Sequence, residues 1–174
     1  MKKLILFTLI TLTGIVACQE EKFDQYDPSV EQFIALLVEG EYDRNEPLPQ
    51  FRPEQVPALL RYADDNQAIT SFPVNPLSSS YASEFRLGEC LLWTIESIRV
   101  SYGQTTSLIS PARYPSLNPV LINEASQRPD RRTTEAELHL GYQAYYDWWY
   151  DDLRQSFEQK RNINPLATTT LTWR

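Results

Sequence analysis

Apolar residues recur along the chain with a helical period in several stretches. Val30, Phe33, Ile34, Leu37 and Val38 fall at i, i+3, i+4, i+7 and i+8, one face of a helix. Asp27-Pro28 offers this helix an N-cap and a first-turn proline, and Gly40 offers a stop. Val56, Leu59, Leu60 and Ala63 predict a second, short helix with Pro53 or Pro57 in its first turn. In the third, Leu87, Leu91, Thr94, Ile95, Ile98 and Tyr102 share a stripe, while Phe85, Leu92 and Trp93 fall elsewhere on the cylinder. A helix apolar on more than one face is central, packed on both sides. Thr134 and Glu137 make a capping box for the fourth. Its core stripe reads Leu138, Tyr142, Tyr145, Trp149 and Leu153, flanked by Tyr146 and Phe157, and it is predicted to run to about Lys160. Lys160 and Arg161 there suit the negative end of the helix dipole.

Between these stretches the chain is rich in proline: residues 43–53, 67–82 and 103–132. The pattern predicts an all-α fold, a compact irregular bundle of about four main helices with long Pro-rich loops. Neighbouring helices are free to stack as HEAT-like hairpins, although no repeat of fixed period is present. Thr168 to Trp173 (TTTLTW) is β-prone. One short segment makes no sheet alone, so it is expected to lie across the helices with Trp173 docked.

The N-terminus obeys a different pattern. Lys2 and Lys3 precede an apolar run from Leu4 to Leu12, then Ile15-Val16-Ala17-Cys18. That order is a secretory signal. It is shorter than the roughly 20 apolar residues a bilayer span needs. It resembles a bacterial lipoprotein signal, which implies cleavage after Ala17 and a lipid on Cys18. The domain reading is therefore 1–17 signal peptide, 18–26 lipidated tether, and 27–174 a single helical domain. Gln19 after the cysteine resembles lipoproteins released to the outer membrane, and the acidic run Glu20-Glu21 resembles a surface-export signal. The location expected is the outer membrane, on its periplasmic face or at the cell surface.

Charge and cysteine count narrow the partners. The chain carries 16 Lys+Arg against 23 Asp+Glu, a net charge of −7, and cleavage would remove two lysines and no acid. An acidic body opposes nucleic acid and anionic headgroups, so membrane contact should come through the lipid alone. With Cys18 lipidated, Cys90 has no disulfide partner. In an apolar helical stretch it reads as a small core residue.

Several candidate sites compete with plain packing. Residues 142–152 (YQAYYDWWYDD) bring aromatic rings next to carboxylates, the combination that holds sugars. Tyr142, Tyr145 and Trp149 belong to the stripe. Trp148 and Tyr150 fall about 100° to either side of it, so with Asp151 and Asp152 they are the candidate ligand-binding residues. Packing is the competing account of Trp148. Glu89 and Glu96 share a helix face about 10.5 Å apart along the axis, near the ~6.5–9.5 Å separation of an inverting glycosidase. The competing account pairs Glu89 with Arg86 and Glu96 with Arg99. Asp147, Asp151 and Asp152 lack the interleaved geometry of a calcium loop. No common zinc, hydrolase or nucleotide motif occurs, so no catalytic residue, metal or cofactor is assigned. His139 reads as a helix-face residue.

Several segments resemble a family of uncharacterised Bacteroidota lipoproteins that share a domain of unknown function. They are Leu59-Leu60 with Tyr62-Ala63, Phe72-Pro73 with Asn75-Pro76 and Ser78-Ser79, and Leu87-Gly88-Glu89. Leu91-Leu92-Trp93, Ile95-Glu96 with Ile98-Arg99, and Asn164-Pro165-Leu166 with Trp173 complete the set. These are packing motifs and imply no activity. The expected function is a membrane-anchored, non-enzymatic binding or interaction module with a protein or glycan partner. A glycan-binding accessory protein is the alternative, and a glycoside hydrolase on Glu89 and Glu96 a remote one.

Overall fold

A computed structural model describes residues 29–73, 75–78, 84–104, 114–125 and 133–174. Asp27-Pro28, the signal segment and Cys18 lie outside the described residues. The fold is mixed rather than all-α. Helices α1 (Val30–Glu39), α2 (Val56–Leu60), α3 (Leu87–Ser101), α4 (Glu135–Tyr150) and α5 (Phe157–Lys160) are joined by four short strands. These are β1 (Ala68–Ile69), β2 (Phe85–Arg86), β3 (Leu121–Asn123) and β4 (Leu171–Trp173). They form two antiparallel pairs, β1 with β2 and β3 with β4. Strands of two or three residues carry no readable alternation, which is why the sequence pattern gives helices alone.

The first pair serves the head of α3. Arg86, its N-cap, provides no side-chain hydrogen bond. The Leu87 and Gly88 N–H groups instead donate to the carbonyls of Gln67 (2.9 Å) and Asp65 (2.8 Å), satisfying donors that every helix start leaves open. Phe85 therefore belongs to β2, not to the helix. Gly88 is required by the close approach: a Cβ there would lie 2.5 Å from the Ala63 carbonyl oxygen.

α3 is the centre of the molecule, as expected. It packs on α2, α4 and β2, and every residue from Leu87 to Ile98 is buried. Phe72 packs on Phe33, Phe85 and the Trp93 of α3. Cys90 is fully buried, and burial pushes its thiol well above the usual range. α1 is capped by Ser29, with Gln32 closing the box, and ends on Gly40 at φ 74°. Val38, placed on its core stripe by the pattern, is exposed.

The TTTLTW segment is not a lone strand. Leu121, Ile122 and Asn123 pair with Trp173, Thr172 and Leu171, and Arg174 N–H donates to the Val120 carbonyl at 3.1 Å. α4 stops at Tyr150, earlier than the pattern implies. The chain turns through 151–156 and folds back as α5, where Lys160 Nζ donates to the Trp148 (3.3 Å) and Trp149 (2.9 Å) carbonyls. Those carbonyls lie in the last turn, where continuing helix would have supplied their donors.

Candidate functional site

Glu89 and Glu96 are both buried on α3, and each is held by a different structure. Glu89 Oε1 accepts the Leu121 N–H at 2.7 Å and bonds the Thr133 hydroxyl, which also reaches the Leu121 carbonyl at 3.0 Å. The carboxyl thus ties α3 to β3 and to the entry of α4, not to Arg86 as helical spacing suggests. Burial raises its pKa to about 7, against the lowering effect of Thr133, Leu121 and Arg86.

Glu96 does pair with Arg99, in a forked geometry at 2.8 and 2.6 Å. The Tyr145 hydroxyl donates to Glu96 Oε2 at 2.7 Å and accepts from Trp173 Nε1 at 2.9 Å. Arg99 Nη1 then reaches the Arg161 carbonyl at 2.6 Å. Bonding to Glu96 raises the Arg99 pKa, and burial pushes the Tyr145 phenol well up. Both carboxylates are occupied with backbone and side-chain donors. A cleft of 340 Å³ does lie between α3 and the 49–54 segment, lined by Phe51, Pro53, Glu54, Ser97, Ile98 and Tyr102 among others, and neither Glu89 nor Glu96 faces it.

On α4 the buried edge is rotated from the expected stripe. It runs Glu137, Leu138, Gly141, Tyr145 and Trp148. Gly141 explains the rotation: a Cβ there would lie 2.9 Å from Leu121 Cδ1, so the bare side of the helix presses on β3. Trp148 consequently points inward, 8% exposed, and donates from Nε1 to the Lys160 carbonyl at 2.9 Å. Trp149 is half-buried against Trp148 and Phe157, and Leu153, assigned to the core stripe, is 73% exposed.

The same rotation brings other rings to the surface. Tyr142 is half-buried, and Tyr146 and Tyr150 are 40% and 38% exposed. Tyr142 and Tyr146 lie 5.8 Å apart between ring centroids, inclined at 48°; Tyr146 and Tyr150 lie 4.5 Å apart at 42°. His139 extends this ladder toward the start of α4, 6.2 Å from Tyr142, with Nδ1 3.0 Å from Asp64. Partial burial, with the Asp64 charge second, raises the Tyr142 pKa, so the phenol is neutral and can donate. Of the residues first singled out, Tyr150 joins the ladder and Asp151 is exposed beyond it. Asp152 accepts from the Arg154 N–H at 3.1 Å. The sequence reading missed Tyr142 and Tyr146 as surface residues. Gly141 was the available signal, since glycine within a helix often marks close backbone approach.

Among the described residues, no group of three His, Cys, Asp or Glu is placed to hold a metal ion. No helix among them is long and apolar enough to cross a membrane. No curated protein and no solved structure matches the chain. A family model described as a domain of unknown function (DUF4943) matches residues 24–174.

Proposed function

The chain belongs to the DUF4943 family, and from that premise we propose that it is a lipid-anchored, non-enzymatic binding module whose recognition face is the outer side of α4. The observation that carries this is the row of solvent-facing tyrosines on a rigid, capped helix. Tyrosine is enriched in binding hot spots because one rigid ring supplies apolar area and a polar tip together. The occupied hydrogen bonds of Glu89 and Glu96 favour this reading over hydrolysis. Anchoring rests on the signal pattern ending at Cys18 and puts the domain at the outer membrane, with contact to the bilayer through lipid.

Two measurements test it. Cys18→Ser should abolish palmitate labelling and membrane fractionation; a variant still labelled would end the anchoring proposal. For the face, a photo-crosslinking amino acid at Tyr146 is compared, in native membranes, with one at exposed Asn66. Adducts specific to position 146 are expected, whether their partner is protein or glycan. Equal yields at the two positions would remove α4 as the recognition face.

A further inference from the structure

We propose that the tyrosine ladder of α4 binds a single, uncharged polysaccharide chain lying along the helix axis. This rests on the binding-module reading and names its ligand. The first support is the row itself. Tyr142, Tyr146 and Tyr150 are spaced four residues apart, about 6 Å along the axis per step, and neighbouring rings are in contact range. Ring faces pack against the C–H faces of a pyranose, while phenol hydroxyls exchange hydrogen bonds with its hydroxyl groups.

The second support is charge. α4 contains no lysine or arginine, and the chain as a whole carries −7. A polyanion would find repulsion and no cation along the strip. A basic peptide would need carboxylates among the rings. From Tyr142 to Tyr150 the one acid is Asp147, which flanks the rings one turn on from Gln143. Asp64, at the His139 end, is engaged by that imidazole. In the row of Asp147 stands Gln143, exposed, whose amide donates and accepts. The strip therefore combines aromatic rings with an amide and a single carboxylate, groups that exchange hydrogen bonds with sugar hydroxyls, and it offers a polyanion no cation.

The third support is the inclination of the rings. Successive planes turn by 48° and 42° and make no common plane. A flat crystalline polymer face would meet one ring at a time, whereas a single chain can turn with them.

Full-length protein in detergent micelles is to be run through native gels containing, in turn, a soluble β-glucan, a xylan, a mannan and an α-glucan. Parallel assays use sedimentation with microcrystalline cellulose and titration with a lysine-rich peptide. Retardation by at least one soluble polysaccharide is expected. Tyr146→Ala should weaken it more than tenfold, and Tyr146→Phe, which keeps the ring, by about threefold or less. Equal thermal midpoints for the variants show that the fold is intact. Failure of all four polysaccharides, equal retardation of wild type and Tyr146→Ala, or sedimentation with cellulose would each overturn the proposal. Peptide binding lost in Tyr146→Ala, without polysaccharide retardation, would replace the ligand and leave the face standing. Loss of the position-146 crosslinking contrast would remove the face as well.

Discussion

α3 and α4 are neighbours of almost equal length, 15 and 16 residues, and their chemistry is distributed in opposite ways. α3 is covered on all sides from Leu87 to Ile98 and takes two glutamates inside with it. α4 is the richer in aromatic residues, yet it covers one edge and leaves three tyrosines facing outward. The difference lies in the neighbours. α3 receives α2, β2 and α4 around its circumference, while α4 meets α2, α3, β3 and the 165–168 turn on its one buried edge. Apolar content alone therefore does not decide which ring is core. On α4 the decision falls to Gly141, which sets the approach to β3, and to the Lys160 carbonyl, which gives the Trp148 indole a partner.

The sharpest break in this comparison is expected at Trp148. Trp148→Ala should lower stability by ~3–5 kcal/mol, as for a buried aromatic, through lost packing and the lost indole N–H bond to the Lys160 carbonyl. Leu91→Ala on α3 should cost ~2–5 kcal/mol. Urea midpoints check both, and a Trp148→Ala midpoint near wild type would put that indole back on the surface.

Glu89 gives the next effect. Folding raises its pKa from 4.5 to about 7, so the folded chain holds the proton more tightly than the unfolded chain. Its relative contribution is fully present below about pH 4.5 and is lost as pH rises through 7. The loss is on the order of 3 kcal/mol. When the carboxyl is protonated it can donate to Thr133, freeing that hydroxyl for the Leu121 carbonyl. Once ionised, it claims the single Thr133 proton. Glu89→Gln removes the titration, so the stability difference between wild type and variant should shift in the variant's favour from pH 5 to pH 8. An unchanged difference across that range would mean that Glu89 does not titrate there.

The smallest effect should come from the open side of α4. Tyr146→Ala is expected to change stability by no more than about 0.5 kcal/mol. A cost above 2 kcal/mol by the same urea measurement would make the ladder a packing feature.

Much of this architecture is written locally. The Thr134 and Gly40 signals mark helix ends because caps act through neighbouring backbone groups, whereas the cap of α1 is Ser29, two residues beyond the expected one. The Thr134–Glu137 box forms as read, and the apolar circumference of α3 announces its central place. What escaped was set at long range. The 121–123 run and the TTTLTW segment each look too short to be a strand, and only their pairing makes them one. The end of α4 depends on Lys160 folding back, although apolar residues continue in helical register through Leu153 and Phe157. For the candidate face, the rings were visible but their outward side was not. A rotation of less than one residue's step exchanged Trp148 with Tyr142 and Tyr146 between core and surface. Glu89 was legible as a carboxylate on α3, whereas its partners come from a loop and a strand remote in sequence.

The β3–β4 pair also bears on how the domain comes into being. Leu121 waits for Trp173, about fifty residues downstream, a contact whose loop must close before it rewards the chain. During vectorial synthesis, at roughly 5–20 residues per second, α3 and α4 emerge while this pairing and the Trp173 anchor on Tyr145 are still missing. A nascent chain is thus held short of its final state until those last turns are free.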